Sequence, residues 1–243
     1  HGHKEYPEDV LCIDIGGATV LEQVLFNKMM LFSSFYHHQK VRASFRLLVR
    51  ILELMRKSQV SLRGTRIDKA SDFLLLDDGD VLSAETGGYP PELKQLIADL
   101  RGRRVPKRAL VITKDVLLDD ESRAEYFRLR HLPQTRVSWE EEISRRAGGV
   151  QPVFIDFPEE PGFAVSGLHS LVKLAPRRYV TLDVLYPASG WVSGYAEYRY
   201  RSYIFSPEGK ERAVHKVALE VFGDKNIRLD KSLSSDLAKL PSP

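Results

Sequence analysis

The stretch that decides the fold is residues 11–52, LCIDIGGATVLEQVLFNKMMLFSSFYHHQKVRASFRLLVRIL. It opens with a short apolar run that ends in Gly16-Gly17, and the remainder has the hydrophobic spacing of two helices. In the first helix, apolar residues recur at helical intervals: Leu21, Val24, Leu25, Leu31, Phe32 and Phe35. In the second, the spacing places Phe45, Leu48, Leu52 and Met55 on one face and Arg42, Arg46 and Arg50 on another. The stretch therefore predicts a pair of helices that follows a glycine turn.

The sequence Asp-Ile-Gly-Gly-Ala-Thr at residues 14–19 is open to two interpretations. In actin- and hexokinase-like ATPases, a strand followed by such glycines wraps a phosphate, because glycines let backbone amides approach it. Those proteins continue directly into the second strand of a hairpin, whereas the residues after Gly17 have helical spacing. We therefore interpret the motif as a turn before the first helix.

The rest of the chain predicts helices first and a mixed region afterwards. Helical patterns run through PPELKQLIADLRGR, where Pro90-Pro91 suits a first turn, through DDESRAEYFRLRHL, and through SWEEEISRRAGG, where Ser138 is the predicted N-cap. After Gly148-Gly149, VQPVFIDFP and YRYRSYIFSPEG have strand patterns, RRYVTLDVLYP fits a strand or a short helix, and KERAVHKVALEVFG fits a helix ended by Gly223. The predicted fold class is α+β, with a mainly helical region at 1–149 and a smaller mixed domain at 150–243.

Composition sets limits on the partners and the compartment. The chain has 243 residues, 43% of them apolar and 28% charged, as expected of a globular protein with a substantial core. Its formal net charge of +3 suits an anionic ligand such as a nucleotide, but is too small to indicate a nucleic-acid-binding surface by itself. Cys12 is the single cysteine, and no apolar run approaches the roughly 18 residues of a membrane span. We therefore expect a cytoplasmic protein with no membrane partner.

Two further clusters are ambiguous from the sequence. Lys28, Phe32 and Tyr36 are four residues apart, so on a continuous helix they form one stripe that could hold a phosphate and stack a base. A core-facing phenylalanine with polar neighbours at its rim explains the same spacing. His37 and His38 are adjacent, so their side chains diverge by about 100° around a helix and cannot chelate one metal ion as a pair.

Two aromatic or histidine-rich segments have a simpler interpretation. YAEYRYRSYIF interleaves Tyr198 and Tyr200 with arginines, a composition found on platforms for single-stranded nucleic acid. Alternation along a half-buried strand explains it as well, and we favour the strand over nucleic-acid binding. His1 and His3 of the opening HGHK could chelate copper or nickel, but are interpreted as the remnant of an affinity tag or a poorly ordered end.

The helix pair resembles that of HD-domain phosphohydrolases, a group that includes deoxynucleoside triphosphate triphosphohydrolases. The pattern of that family is an apolar helix with an early Glu, a basic residue, and then Tyr-x-His-x-x-Val-Arg. It falls here on Glu22, Lys28, Tyr36, His38, Val41 and Arg42. Later segments are similar in the same order: FLLLDDGDVLSAE, LKQLIADLRGRRVPKRALVI, PVFIDFPEEPGF and GWVSGYAEYRYRSYIFSP. The resemblance spans nearly the whole chain and implies a metal-dependent hydrolase that acts on nucleotides.

The resemblance also implies roles for individual residues. Lys28 matches a residue that contacts the triphosphate, Tyr36 matches one that packs against the sugar, and Phe32 stands where the family usually has His or Tyr. His37 completes the predicted substrate-binding set, while His38 and Arg42 are expected to be structural. Arg103 and Lys107 fall where some members bind an allosteric nucleotide. In RGRRVPKR, five of eight residues are basic, which suits anion binding or a solvated loop equally.

The metal-binding set is the main departure from the family pattern. The family binds a divalent metal ion through a His…His-Asp…Asp set that precedes the Tyr-x-His helix, but the residues before that helix here contain no His-Asp pair. A metal-activated hydroxide needs three or four placed ligands. We therefore expect no catalytic residue and no metal ligand in this chain, and no hydrolysis by the chain alone.

Two hypotheses follow for the function. The leading one is the substrate-side and regulatory portion of a homo-oligomeric, dNTP triphosphohydrolase-like enzyme, whose divalent metal is held elsewhere. The alternative is a non-catalytic nucleotide-binding or oligomerisation module.

Overall fold

The computed structural model describes residues 11–158, 167, 169–186, 194 and 200–239. The chain forms two compact units: unit 1 comprises residues 1–37 and 158–200, and unit 2 comprises residues 38–157 and 201–243. The predicted α+β class is confirmed, since a mainly helical amino-terminal part is followed by a portion that contains strands β5 to β8. Each unit combines an early and a late segment of the chain, and the predicted domain boundary at 149–150 stays a prediction.

The helices of the described residues are numbered α1 to α9 in chain order, and the strands β1 to β8. The helices are α1 (Ala18–Leu31), α2 (Gln39–Lys57), α3 (Asp78–Ser83), α4 (Pro91–Arg101), α5 (Asp120–Arg128), α6 (Pro133–Arg146), α7 (Leu182–Leu185), α8 (Glu211–Asp224) and α9 (Lys231–Lys239). The strands are β1 (Ile13–Asp14), β2 (Ser61–Leu62), β3 (Thr65–Arg66), β4 (Lys107–Ile112), β5 (Phe154–Asp156), β6 (Leu171–Ala175), β7 (Arg178–Thr181) and β8 (Ser202–Ser206). A π-helical turn, Phe32–Tyr36, follows α1.

Unit 1 places a small sheet beside α1. The strand order is β1-β6-β7, with β1 parallel to β6 and β6 antiparallel to β7. A Cβ atom at Gly17 would lie 2.9 Å from Cγ2 of Ile13, so the close approach between strand and helix requires glycine there. Since β1 pairs with a strand from far along the chain and leads into a helix, the glycine motif is a turn, as the sequence predicts.

Unit 2 is built on a three-stranded antiparallel sheet that is covered on both faces. Its order is β4-β8-β5. Because side chains alternate along a strand, Leu110 and Ile112 of β4 enter one core while Val111 enters the other. The first core contains residues of α5, α6 and α8, and the second contains residues of α2 and α4.

The buried face of α2 differs from the predicted one. Phe45 is 49% exposed, whereas Arg46 is only 4% exposed. Arg46 is buried because its guanidinium donates to the Glu140 carboxylate at 3.2 Å and lies over the Phe154 ring. The buried apolar residues of α2 also have helical spacing, and the predicted face contributes the buried Met55 and the partly buried Leu48 and Leu52. The buried residues of α2 are Ala43, Arg46, Leu47, Ile51, Leu54 and Met55.

Several local predictions also need correction. Ser138 lies inside α6, because Pro133 sets the first turn, and its hydroxyl donates to the Thr135 carbonyl at 2.8 Å. Gly223 lies within α8, which continues to Asp224. β4 was not predicted at all. The ambiguous segment RRYVTLDVL contains both alternatives, strand β7 and then the short helix α7.

Some predictions fall on residues outside the described ranges. They concern His1, His3, Tyr198, and most of the EEPG and GWVSGYAEY segments. Tyr200, at the edge of this region, is buried.

Candidate functional site

The predicted substrate stripe lies where α1 gives way to the π-helical turn. Lys28 is exposed in the last turn of α1, and the helix ends three residues later, so the stripe does not follow one continuous α-helix. Phe32 and Tyr36 nevertheless remain in contact, with ring centroids 4.8 Å apart. His37 meets Phe32 edge to face at 6.1 Å. Three of the four predicted substrate residues therefore form one aromatic cluster, and π-helical turns occur frequently at functional sites.

The residues of this cluster differ in exposure. His37 is buried, Phe32 is half-buried, and Tyr36 is 46% exposed. Phe35 contacts the Tyr36 ring edge to face at 5.5 Å. The packed rings hold the Tyr36 phenol in place while leaving part of it accessible to a ligand. Such a ring can pack against a sugar or a base, and its hydroxyl can donate or accept a hydrogen bond.

The helix that carries Lys28 is apolar on several sides. Ala18, Leu25 and Met29 are buried against the sheet of unit 1. A helix that is apolar all round is usually covered on all sides in a larger protein. Here large apolar side chains remain exposed along α1 and the turn that follows it: Val20, Val24, Phe26, Met30, Leu31, Phe35 and Tyr36.

The two residues predicted to bind a phosphate-bearing effector line one groove of unit 2. This groove, called the Arg103 groove below, has a volume of about 560 Å³. Arg103 follows the end of α4 with a φ of 54°, and Lys107 begins β4. The spacing of Leu93, Leu96, Ile97 and Leu100 in the sequence predicts a buried helix face, and α4 is anchored through the first three of them. The groove is lined by Leu47, Glu92, Gln95, Leu96, Asp99, Arg103, Arg104, Val105, Pro106, Lys107, Gln151, Pro152, Pro207 and Glu208.

The cations of RGRRVPKR have different partners. Arg101 donates to the carbonyls of Leu82 and Ala84, and therefore braces the chain before α4. Arg104 pairs with Asp99 at 2.9 Å, and Lys107 pairs with Glu208 at 3.4 Å. Within the part of the chain that the structure describes, Arg103 has no carboxylate partner. The cluster is therefore partly structural, and Arg103 is its most available cation.

A second groove adjoins the first and was not predicted. This groove, called the Lys40 groove below, has a volume of about 800 Å³ and shares Val105, Pro106, Lys107 and Glu208 with the Arg103 groove. Sequence reasoning missed it because its residues come from four elements that are far apart in the chain. Its charged residues and its histidine are Lys40, Lys107, Arg108, Glu208, Glu211, Arg212, His215 and Lys239.

Two buried ion pairs hold α2 against other elements of unit 2, β5 and α6. Arg42 donates from Nε to Asp156 Oδ2 at 2.8 Å and from Nη2 to Oδ1 at 2.7 Å, so the pair is bidentate. Its position agrees with the structural role expected for Arg42. Glu140 accepts from Arg46 and also from the Ile155 amide at 2.8 Å. Burial raises the pKa of the Glu140 carboxyl, and Arg46 opposes that rise.

The described residues do not fit a metal centre. Across 11–158, 169–186 and 200–239, no group of three or more His, Cys, Asp and Glu side chains is placed to hold a metal ion. No helix in the described ranges is both long and apolar enough to cross a membrane.

Known proteins add a family and a fold. A family model described as "HD associated region" matches residues 3–232. No curated protein matches the chain. A solved structure, a hypothetical protein from Aquifex aeolicus, is similar to 87% of this chain with a TM-score of 0.53 and 17% identity. The match covers 48% of the Aquifex chain, so this chain spans about half the length of that protein. At this identity the likeness shows a shared fold.

Proposed function

This chain belongs to the HD associated region family, and we propose on that basis that it supplies the substrate-side and regulatory parts of an HD-type phosphohydrolase. The proposed substrate is a nucleotide and, more specifically, a deoxynucleoside triphosphate. The divalent metal of such an enzyme would belong to an HD domain and not to the described residues.

The observation that carries the proposal is the exposed apolar surface of α1. This surface, with Val24, Phe26 and Leu31, is unfavourable in water, since burying apolar area stabilises by about 25 cal/mol per Å². We propose that an HD domain covers it, either in the same polypeptide or in a separate chain. Lys28 and the Tyr36 cluster lie on this helix and the turn after it, so they would border the domain that holds the metal.

The proposed roles follow from the chemistry of each side chain. The Lys28 ammonium would neutralise charge on the phosphates. The Tyr36 ring, held by its contacts with Phe32 and Phe35, would pack against the sugar. His37 is buried in the cluster and would support it from within.

A regulatory site is proposed in unit 2. Arg103, which has no carboxylate partner among the described residues, and Lys107, whose exposed pair with Glu208 is weak, would bind the phosphates of an effector. The alternative function is a nucleotide-binding or oligomerisation module without catalysis. The Arg103 groove is compatible with it, because anion binding there needs no metal centre.

Nucleotide titration of the 243-residue chain tests the proposal. We expect a deoxynucleoside triphosphate to bind without being hydrolysed. Lys28→Ala should weaken binding about 10- to 150-fold, which corresponds to about 1.5–3 kcal/mol for a hydrogen bond to a charged group. Lys57→Ala, an exposed lysine in the last turn of α2, is the matched control and should bind as the unchanged chain does.

Two results would contradict the proposal. If Lys28→Ala and Lys57→Ala bind equally well, the cluster is structural. If the purified chain releases phosphate, triphosphate or nucleoside in a metal-dependent reaction, the metal ligands are not missing from it.

The effector site is tested separately. The double variant Arg103→Ala/Lys107→Ala should remove a separate binding phase, and an unchanged isotherm would assign the RGRRVPKR cluster to a solvated loop.

A further inference from the structure

The Lys40 groove carries the largest imbalance of charge among the described cavities of unit 2. Four elements contribute to it: α2 with Lys40, β4 with Lys107 and Arg108, α8 with Arg212, and α9 with Lys239. These five cations face two carboxylates, Glu208 and Glu211, which leaves an excess of three positive charges. In the Arg103 groove, by contrast, three cations face three carboxylates. Concave surfaces of one sign raise the local concentration of the opposite charge, so the Lys40 groove should attract anions more strongly.

The cations of the Lys40 groove are only partly compensated within the protein. Lys107 pairs with Glu208 at 3.4 Å and Lys239 pairs with Asp236 at 3.3 Å, and all four side chains are largely exposed. Exposed pairs of this kind contribute little, typically below about 1 kcal/mol, so an anionic ligand can replace them. Among the residues that the structure describes, the side chains of Lys40 and Arg212 have no hydrogen-bond or ion-pair partner.

The environment of Arg108 is less favourable for a positive charge than that of the other four cations in the groove. Its Nε donates to the carbonyl of Ala238 at 3.1 Å, and no carboxylate in the described ranges pairs with it. Burial lowers the pKa of the Arg108 guanidinium, Tyr203 opposes that shift, and Arg201 adds to it. An anionic partner in the groove would therefore stabilise the charged form of Arg108.

The shape and composition of the groove indicate the class of ligand. A volume of about 800 Å³ lies in the range of small-molecule sites. Among its described lining residues none is phenylalanine, tyrosine or tryptophan, and the one imidazole, His215, is half-buried with Nδ1 held 2.8 Å from the Ala109 carbonyl, so the groove offers little ring surface on which a base could stack. Cations on four elements can instead contact several phosphate groups of one molecule.

We infer that the Lys40 groove binds the phosphate chain of a small oligophosphate and does not recognise a base. Inorganic triphosphate and the triphosphate group of a nucleotide present the same chemistry to it. The inference goes beyond the proposed function and does not rest on it, because Lys28 and Tyr36 take no part. It also differs from the effector site proposed for Arg103, although Lys107 lines both grooves.

Calorimetric titration of the full chain with inorganic triphosphate, ATP and adenosine tests the inference. We expect triphosphate and ATP to bind with affinities within about threefold of each other, and adenosine not to bind. The double variant Lys40→Ala/Arg212→Ala should weaken both about tenfold or more, since charged hydrogen bonds are lost. The control is the double variant Lys57→Ala/Lys216→Ala, at two exposed lysines outside the groove. It removes the same amount of charge and should bind triphosphate as the unchanged chain does.

Several outcomes would overturn the inference. One is equal triphosphate binding by the Lys40→Ala/Arg212→Ala variant and the control. Another is binding of ATP without binding of triphosphate, which would assign recognition to the base. A single-stranded oligonucleotide that displaces triphosphate at lower concentration would identify a nucleic-acid surface instead. Arg212→Glu offers a second variant if the double variant is unfolded by circular dichroism. In a Lys28→Ala background, the Lys40→Ala/Arg212→Ala double variant should still weaken triphosphate binding by the same factor, which separates this inference from the proposed function.

Discussion

Helices α1 and α2 follow each other in the chain and expose different kinds of surface. α2 buries one face, with Leu47 and Ile51 in a core, and its exposed positions are mostly polar or charged. α1 buries only Ala18, Leu25 and Met29, and exposes large apolar residues such as Val24, which is 52% exposed. Apart from Phe45, the apolar surface of α2 is mostly covered within unit 2, whereas the described residues of unit 1 leave much of the apolar surface of α1 exposed. The difference shows which helix is suited to bind another domain.

Charge distinguishes the two helices as well. Arg42 and Arg46 of α2 point inwards to Asp156 and Glu140, which makes them part of the fold. Lys28 of α1 is exposed, and its position suits a ligand. Basic residues on these two helices therefore have different surroundings, buried in α2 and exposed in α1, and the sequence alone does not tell them apart.

The largest effect is expected from breaking the Arg42–Asp156 pair of α2. Arg42→Ala leaves the carboxylate of Asp156, only 1% exposed, without its bidentate partner. Loss of one member of a buried pair typically lowers the free energy of unfolding by about 3–5 kcal/mol. Urea unfolding measures the change. Arg50→Ala is the control on the same helix, since its pairs with Glu53 and Glu92 are more exposed and should contribute below about 1 kcal/mol. Equal losses in the two variants would contradict the distinction between inward and outward cations.

A smaller effect is expected from trimming apolar residues on the two helices. Ile51→Ala in α2 removes a fully buried side chain and should lower the free energy of unfolding by about 2–5 kcal/mol. Val24→Ala in α1 should change it by less than about 0.5 kcal/mol, because that side chain is exposed. If Val24→Ala proved as costly as Ile51→Ala in thermal or urea unfolding, α1 would already be covered in the isolated chain.

The smallest effect is expected at the helix starts. His38 caps α2, because its Nδ1 accepts from the Lys40 amide at 3.2 Å, whereas α1 begins after Gly17, which has no side chain to act as a cap. His38→Ala should lower the free energy of unfolding by about 1 kcal/mol. His38→Asn keeps a capping acceptor and should retain most of the stability. Equal unfolding midpoints for His38→Ala and the unchanged chain would show that the cap contributes nothing.

The sequence was most informative where structure is local. The helical periods, the turn at Gly16-Gly17, the first turn at Pro91 and the buried face of α4 could all be predicted, because each depends on residues within a few positions of one another. The aromatic contact between Phe32 and Tyr36 also followed from a spacing of four, although the π-helical turn that carries it did not.

By itself, then, the sequence determined most of the helices, their order, the α+β class and the resemblance to HD-domain phosphohydrolases. Only the tertiary structure decided that Arg46 is buried, that β4 joins the central sheet, and that Lys40, Arg108, Arg212 and Lys239 line one groove. Arg46 pairs with a residue 94 positions away, and β4 pairs with a strand from near the end of the chain. The hydrophobic periodicity of a segment predicts whether it forms a helix or a strand. Which distant charge will meet a buried cation depends on how the segments pack, and that information lies in no single stretch of residues.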